Sequence, residues 1–321
     1  MSRVLFAAAM SQVFQSVLRT SRPVSGGGPP RLPPGRAAGH SRSSWLALFP
    51  LLALGLLSGC GGGDAELDRI WVELRDVGAG VAETPFDPAM VEELPDPARR
   101  FLLHAIAPGT VLAGAVELDM SGSIAMVPDE EPLSLEARQV LAPPHGFIWL
   151  AVAGGGLARI RGYDRYSDGQ GEMRWELFGF VPVVRASGEG VTRSAAGRLG
   201  MEAVLVPATL IPGSPFAPEG LRWEEVDEHR ARFHFPVGTE VVEATLEVDA
   251  EGRPLRIEAL RWAEDAEEGR EPGYEPFVVE MSGEFSWDGY TLPAFMEAGW
   301  RLGAPDEFRF FGAELERVAF H

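Results

Sequence analysis

The sequence contains one cysteine and no lysine, and both absences limit what the chain can be. A single thiol excludes an intrachain disulfide, so the stability of the fold must come from its apolar core. All 28 basic residues are arginine, and 47 acidic residues outnumber them to give a formal net charge of −19. Nucleic acids and anionic membrane surfaces attract basic proteins, so this composition argues against both as partners.

The sequence also lacks an apolar run of the ~20 residues that a membrane-spanning helix needs. The run Trp45–Leu57 has thirteen residues, is interrupted by Pro50 and follows arginines, as in a secretory signal peptide. It ends in Leu57-Ser58-Gly59-Cys60, which resembles the lipobox of bacterial lipoproteins. We therefore predict that residues 1–60 form a leader with a lipoprotein signal peptide and that lipid on Cys60 anchors the chain to a membrane. The alternative is a buried core segment with an incidental cysteine.

The lipobox interpretation also predicts the charge and location of the mature chain. The leader holds six arginines and no acidic residue, so −19 for the whole chain becomes −25 from Cys60 onward. Residues 61–67 are glycine-rich and predict a flexible tether, which a single domain over residues 68–321 follows. Gly61 stands where inner-membrane lipoproteins of enterobacteria carry aspartate. We therefore expect a lipid-anchored protein on the periplasmic side of the cell envelope, with the outer membrane favoured over the inner.

The first part of the mature chain predicts helices. Apolar residues recur at helical spacing within Asp64–Val77. Asp96 followed by Pro97 is the N-cap and first-turn chemistry that helix starts favour. A third helix, capped by Thr192 or Ser194, is predicted midway along the chain. It should end near Val206 because the residue before a proline resists the helical conformation.

Most of the remaining chain alternates with a period of two, which predicts strands. Val111–Met120 and Gly122–Val127 are the first two predicted strands, and Asp168-Gly169 marks a hairpin turn. About a dozen consecutive, locally paired strands indicate an α+β fold. We predict a large curved antiparallel β-sheet, half-barrel-like, with N-terminal helices and one helical insertion midway.

A set of short motifs occurs in one order along residues 94–321. Its members are Asp168-Gly169-x-Gly171, Phe178–Val184, Ser194, Arg198-x-x-x-Glu202, Pro207, Trp223, Asp249-x-x-Gly252, Arg261-Trp262, Gly289–Pro293 and Trp300. This ordered set resembles a bacterial family known only as a domain of unknown function, so the resemblance implies no activity. The layout also resembles periplasmic lipoprotein carriers and lipid-binding lipoproteins, in which a half-open barrel holds acyl chains.

Five residues of this set are candidates for binding a ligand or bracing the fold. Arg198 and Glu202 share one face of the predicted helix, and arginine before glutamate is the weaker order for a local helical pair. Either side chain could therefore reach the sheet, as an ion pair near Arg261 or as a site for a ligand headgroup. Trp223 and Trp300 are the aromatic candidates, for a filled core or for the lining of an apolar cavity.

The sequence shows no catalytic signature. It has no G-x-S-x-G motif, and no H-E-x-x-H or C-x-x-C spacing for zinc. We predict no catalytic residue, metal, cofactor or nucleic-acid partner. Three functions stay open: an envelope protein that binds an apolar or acyl-chain ligand in its curved sheet, an envelope hydrolase that uses carboxylates such as Glu202, and a scaffold or partner-binding lipoprotein with a filled core.

Overall fold

A computed structural model of the protein describes residues 61–321 apart from 129, 157–158 and 264–270, with only the backbone described at 61–64. The predicted leader and the predicted lipidation site Cys60 lie outside the described residues. Within the described part, no helix is long and apolar enough to cross a bilayer.

One antiparallel sheet of thirteen strands dominates the described residues, which confirms the predicted α+β half-barrel. Its order is β6-β5-β4-β3-β2-β1-β13-β12-β11-β10-β9-β8-β7, so β6 and β7 are the two edges. The strand bounds are β1 Val116–Ile124, β2 Leu133–Ala142, β3 Gly146–Ala153, β4 Ile160–Ser167, β5 Gln170–Leu177, β6 Val181–Ser187, β7 Arg222–Glu225, β8 Arg230–Val237, β9 Glu240–Val248, β10 Pro254–Ala263, β11 Gly273–Trp287, β12 Tyr290–Trp300 and β13 Phe308–Phe320.

The pairing of β1 with β13 joins the two halves of the sheet at its centre. The prediction of separate strands Val111–Met120 and Gly122–Val127 was wrong, because β1 runs without a break from Val116 to Ile124. A Cβ added at Gly122 would lie 2.0 Å from the backbone oxygen of Gly312 on β13. Gly122 therefore lets two strands approach closely instead of ending one.

Three α-helices pack on this sheet in the described part: α1 Gly61–Arg75, α2 Asp96–Ala105 and α3 Glu189–Glu202. The 3₁₀ segments are Pro88–Val91, Ala203–Leu205 and Pro207–Leu210. The third helix, α3, connects the two edge strands and contacts both β4–β6 and β8–β10. Six strands separate β4 from β10 in the sheet order, so the sheet curves around α3.

Helix α1 covers the opposite, convex face of the sheet. Ile70 and Leu74 are buried with Val140 and Ile148 of β2 and β3 in a small apolar cluster of their own. The neighbour of Val140 on β2, Gln139, points to the other face and contacts α3, because successive strand side chains alternate. The sheet is therefore covered by helices on both faces.

The residues predicted as a tether, 61–67, are helical in the structure. Leu67 is partly buried against the apolar cluster under α1. Glu66 accepts a hydrogen bond from Arg165 of β4 at 3.1 Å. These two contacts hold the start of α1 against the sheet.

The two interior helices begin at different residues from those predicted. Asp96 lies in the first turn of α2 with Pro95 as N-cap, and its carboxylate binds arginine side chains one turn later instead of the backbone. Helix α3 begins before Thr192, just after Gly188 at φ +108°. The Thr192 hydroxyl accepts a hydrogen bond from the Gly171 amide at 3.0 Å, so it ties α3 to β5 and does not cap the helix. The helical stretch ends before Val206, as predicted.

Candidate functional site: an apolar cavity under helix α3

A cavity of about 640 Å³ lies between α3 and the concave face of the sheet. Strands β1–β6 and β10–β13 supply its wall, and α3 with the segment after it supplies its cover. Small-molecule sites in proteins usually measure about 300–1,000 Å³. The insertion helix therefore covers the concave face without filling it.

Methionine is concentrated at this cavity. Six of the nine methionines in the whole chain line it. They come from four strands, from α3 and from the loop after β1, and they are Met120, Met126, Met173, Met201, Met281 and Met296. Methionine is flexible and polarisable, and it recurs at protein surfaces that accept ligands of varied shape. The wall is therefore both apolar and adaptable.

Aromatic rings complete the apolar wall. Trp149 and Trp175 lie with their ring centroids 5.7 Å apart on one wing of the sheet. Phe277 and Trp300 meet edge to face at 4.8 Å on the other wing. All four rings are almost fully buried, and the cavity lies between the two pairs.

One polar cluster, centred on Arg198 of α3, interrupts the apolar wall. Its Nε lies 2.7 Å from Glu202 Oε1, and its Nη1 lies 3.4 Å from Asp164 Oδ2 on β4. The other oxygen of Glu202 accepts a hydrogen bond from Gln139 Nε2 on β2 at 2.5 Å. The guanidinium also sits 4.5 Å from the ring centroid of Phe147 on β3. The cluster therefore braces α3 against three neighbouring strands.

Asp164 is ionisable in an environment that disfavours its charge. Burial raises the pKa of its carboxyl above the usual range, although the positive charge of Arg198 and a hydrogen bond from Trp175 Nε1 act in the opposite direction. The Trp175 bond measures 2.9 Å. Among the charged groups around Asp164, Arg198 therefore does most to stabilise the ionised carboxylate.

Arg261 on β10 contacts α3 from the opposite wing. Its Nε donates a hydrogen bond to the backbone oxygen of Ser194 at 2.9 Å. Its guanidinium lies 4.7 Å from the ring centroid of Phe277 and 5.5 Å from that of Trp300, within cation–π range. Two arginines, one on α3 and one on the sheet, therefore fix the helix across the cavity.

Four of the five residues singled out in the sequence line this cavity: Arg198, Glu202, Arg261 and Trp300. Trp223 does not line it. The Trp223 ring packs edge to face on Phe233, with centroids 5.0 Å apart, and its Nε1 donates to the Leu210 carbonyl at 2.9 Å. In the described part of the chain, no group of three or more His, Cys, Asp or Glu side chains could hold a metal ion.

Sequence reasoning missed the methionines, Gln139 and Asp164. The methionines are spread over 177 positions of sequence, from residue 120 to residue 296, and no local spacing connects them. Their common feature appears only in the fold, where five from the sheet and its loops and one from α3 all line the same cavity. A signal was present in the composition, because only Met90 among the methionines after residue 60 falls outside the cavity.

Comparisons with known proteins place the chain by sequence and by fold. No curated protein matches the chain. Among solved structures, the fold is similar to that of a LolA-superfamily protein from Nitrosomonas europaea, at 11% identity and a TM-score of 0.39, over 70% of this chain and 92% of that chain. It is also similar to a DUF1329 family protein from Desulfovibrio piger, at 14% identity and a TM-score of 0.37, over 73% of this chain and 94% of that chain. Residues 84–312 match the family of unknown function DUF6544, and the chain therefore belongs to that family.

Proposed function

We propose that this chain is a lipid-anchored protein of the cell envelope that binds an apolar ligand, such as an acyl chain, in the cavity under α3. The observation that carries the proposal is the lining of that cavity, in which six methionines and seven aromatic rings surround about 640 Å³. Each methylene group of a ligand that leaves water there contributes about 0.8 kcal/mol. An adaptable methionine wall suits a flexible chain better than a rigid ligand of fixed shape.

The ligand can be tested through the tryptophans of the cavity wall. Fatty acids brominated along the chain quench tryptophan fluorescence on contact, so a brominated fatty acid should quench the protein in a saturable way. Trp300→Phe should reduce the quenched fraction, because Trp300 lines the cavity. Trp287→Phe is the matched control, because Trp287 lies at the end of β11, partly exposed and outside the cavity. Absence of saturable quenching, together with lipid-free extracts of the purified protein, would exclude this ligand class.

The lipid anchor is supported by the sequence Leu57-Ser58-Gly59-Cys60 directly before α1. Expression of the full chain in a bacterium with two membranes should place it in the membrane fraction. Cys60→Ala should prevent acylation and processing at the lipobox. Mass spectrometry of the mature N-terminus is the decisive measurement, since the proposal requires acyl chains on residue 60 of the unsubstituted chain.

The two other functions considered from the sequence have less support. A scaffold with a filled core is disfavoured by the open volume under α3. A hydrolase that uses Glu202 is disfavoured by the contacts of its carboxylate, because both oxygens accept hydrogen bonds from side chains of the wall. These are the contacts of a bracing ion pair.

A further inference from the structure

The turn between β5 and β6 exposes an apolar tip. Phe178, Phe180 and Val181 are 43%, 73% and 39% exposed, and Phe180 is the most exposed large apolar side chain in the described residues. The two phenylalanine rings lie side by side with centroids 6.2 Å apart. We call residues 178–181 the aromatic tip. Single exposed apolar residues are ordinary, but adjacent exposed aromatic rings mark an interaction surface.

The aromatic tip is held in a defined conformation. Phe178 adopts φ +55°, which is uncommon for a residue with a side chain, and Gly179 follows at φ +77°. The Phe178 amide donates to the Arg159 carbonyl at 3.1 Å, and Arg161 Nη2 donates to the Gly179 carbonyl at 3.2 Å. Hydrogen bonds from the neighbouring strand therefore support a turn that presents both rings to solvent.

The surroundings of the tip differ in charge from the rest of the protein. Residues 159–187 hold five arginines and four acidic residues, a local balance of +1 in a chain of −19. Arg159, Arg161 and Arg185 are exposed there. In the described part of the chain, none of these three makes an ion pair with a carboxylate. Exposed charges interact over a Debye length of about 8 Å at physiological salt. The charge of the residues around the tip, and not the net charge of the whole chain, therefore decides whether the tip attracts an anionic surface.

We propose that the aromatic tip inserts into the interface of a bilayer that contains anionic lipids. Phenylalanine is among the side chains that bury at the boundary between headgroups and acyl chains, and arginines beside it favour anionic headgroups. Pairing with a strand of another protein is a poorer explanation, because Pro182 and a bulge between Trp175 and Glu176 disturb the edge strand. Farther along β6, Val184 and Ala186 line the cavity, so a docked tip brings the cavity towards the bilayer. This inference goes beyond the proposed ligand binding and does not depend on it.

The test places a fluorescent reporter on the tip of the full chain. The variant Phe180→Trp is reconstituted into vesicles of phosphatidylcholine with phosphatidylglycerol, in which the phosphatidylcholine carries bromine on its acyl chains. Leu260→Trp is the matched control, because Leu260 is equally apolar and 63% exposed but lies on β10, away from the tip. We expect several-fold stronger quenching of the added tryptophan at position 180 than at position 260. Equal quenching at both positions, or none at either, would overturn the proposal.

The anionic preference is tested by a second pair of measurements. Arg159→Gln combined with Arg185→Gln in the Phe180→Trp background should reduce the quenching in vesicles with phosphatidylglycerol and leave it unchanged in phosphatidylcholine alone, and both substitutions keep the Arg161 bond that supports the turn. Quenching that changes neither with the substitutions nor with the content of phosphatidylglycerol would refute the role of the arginines. Both arginine side chains are exposed, so circular dichroism should show an unchanged melting temperature.

Discussion

Glu202 accepts a hydrogen bond from Arg198 Nε at 2.7 Å, one helical turn earlier on α3, and uses its other oxygen to bind Gln139 on β2. The Arg198 and Glu202 side chains are only 16% and 23% exposed. Arginine before glutamate is the weaker order within a helix, so the local pair alone explains little of this arrangement. The carboxylate acts mainly as a link between α3 and the sheet.

Glu202→Gln should therefore lower the stability of the fold. The substitution keeps the shape of the side chain but removes the charge that Arg198 and Gln139 both contact. A hydrogen bond to a charged, partly buried group contributes about 1.5–3 kcal/mol, so we expect a loss of about that size in the free energy of unfolding. Urea denaturation at neutral pH measures it.

An exposed ion pair of the same spacing provides the control. Arg69 and Glu73 are also four residues apart in a helix, at 2.6 Å, but both side chains are 57% exposed. Glu73→Gln should cost no more than about 0.5 kcal/mol, because exposed helical pairs contribute little. Similar losses in the free energy of unfolding for Glu202→Gln and Glu73→Gln would show that the link from α3 to the sheet stabilises the fold no more than an exposed ion pair does.

The raised pKa of Asp164 predicts a pH dependence of stability. The unfolded chain has an aspartate pKa of about 3.9, so between that value and the folded pKa the native state binds more protons. The free energy of unfolding from this group therefore increases as the pH falls through that window. Asp164→Asn should be more stable than the parent at pH 7, and the difference should shrink as the pH approaches about 4. Urea denaturation across this range measures both curves.

Asp227 should show the opposite sign. Its pKa is lowered, chiefly by the hydrogen bond from the Arg230 side chain. Such a group contributes stability above the unfolded pKa and loses it as the pH falls through the folded pKa. Asp227→Asn should therefore be less stable than the parent at neutral pH, with the deficit disappearing in acid. If both substitutions changed stability in the same direction at pH 7, burial would not be the dominant influence on the pKa of Asp164.

Blocking the cavity should reduce ligand binding more than stability. Ala298 on β12 is buried and lines the cavity, so Ala298→Phe places a large side chain in the open volume of the cavity. Overpacking a filled core typically costs about 1–3 kcal/mol, and we expect less here because the added ring has room. We expect the affinity for a brominated fatty acid to fall at least about tenfold, the equivalent of 1.4 kcal/mol. Leu260→Phe, on the exposed surface, should leave the affinity unchanged.

The fold was predictable from the sequence to a greater extent than the site. Alternation with a period of two is a local property, so the strands and the helix inserted midway could be read from neighbouring residues. The cavity depends on how far α3 stands from the sheet, which no local pattern encodes. Arg198 and Glu202 could be found because one helical face carries both, whereas Asp164 joins them only when β4 folds beside α3. The role of Gly122 was also hidden, because Gly312 on β13, whose backbone oxygen an added Cβ would meet, is 190 positions away.

Gly122→Ala tests the seam that joins the two halves of the sheet. A Cβ at this position would meet backbone atoms of Gly312 and Ala313, and backbone cannot move aside as a flexible side chain can. The pairing of β1 with β13 would have to open, so we expect a loss of about 1–3 kcal/mol in the free energy of unfolding by urea denaturation. Gly155→Ala is the control, because nothing lies within 4 Å of the Cβ that it adds, and surface changes of this kind stay within about 0.5 kcal/mol. A Gly122→Ala protein as stable as the Gly155→Ala protein would mean that the two central strands can separate at no cost. In that case the seam would not be what holds the half-barrel together.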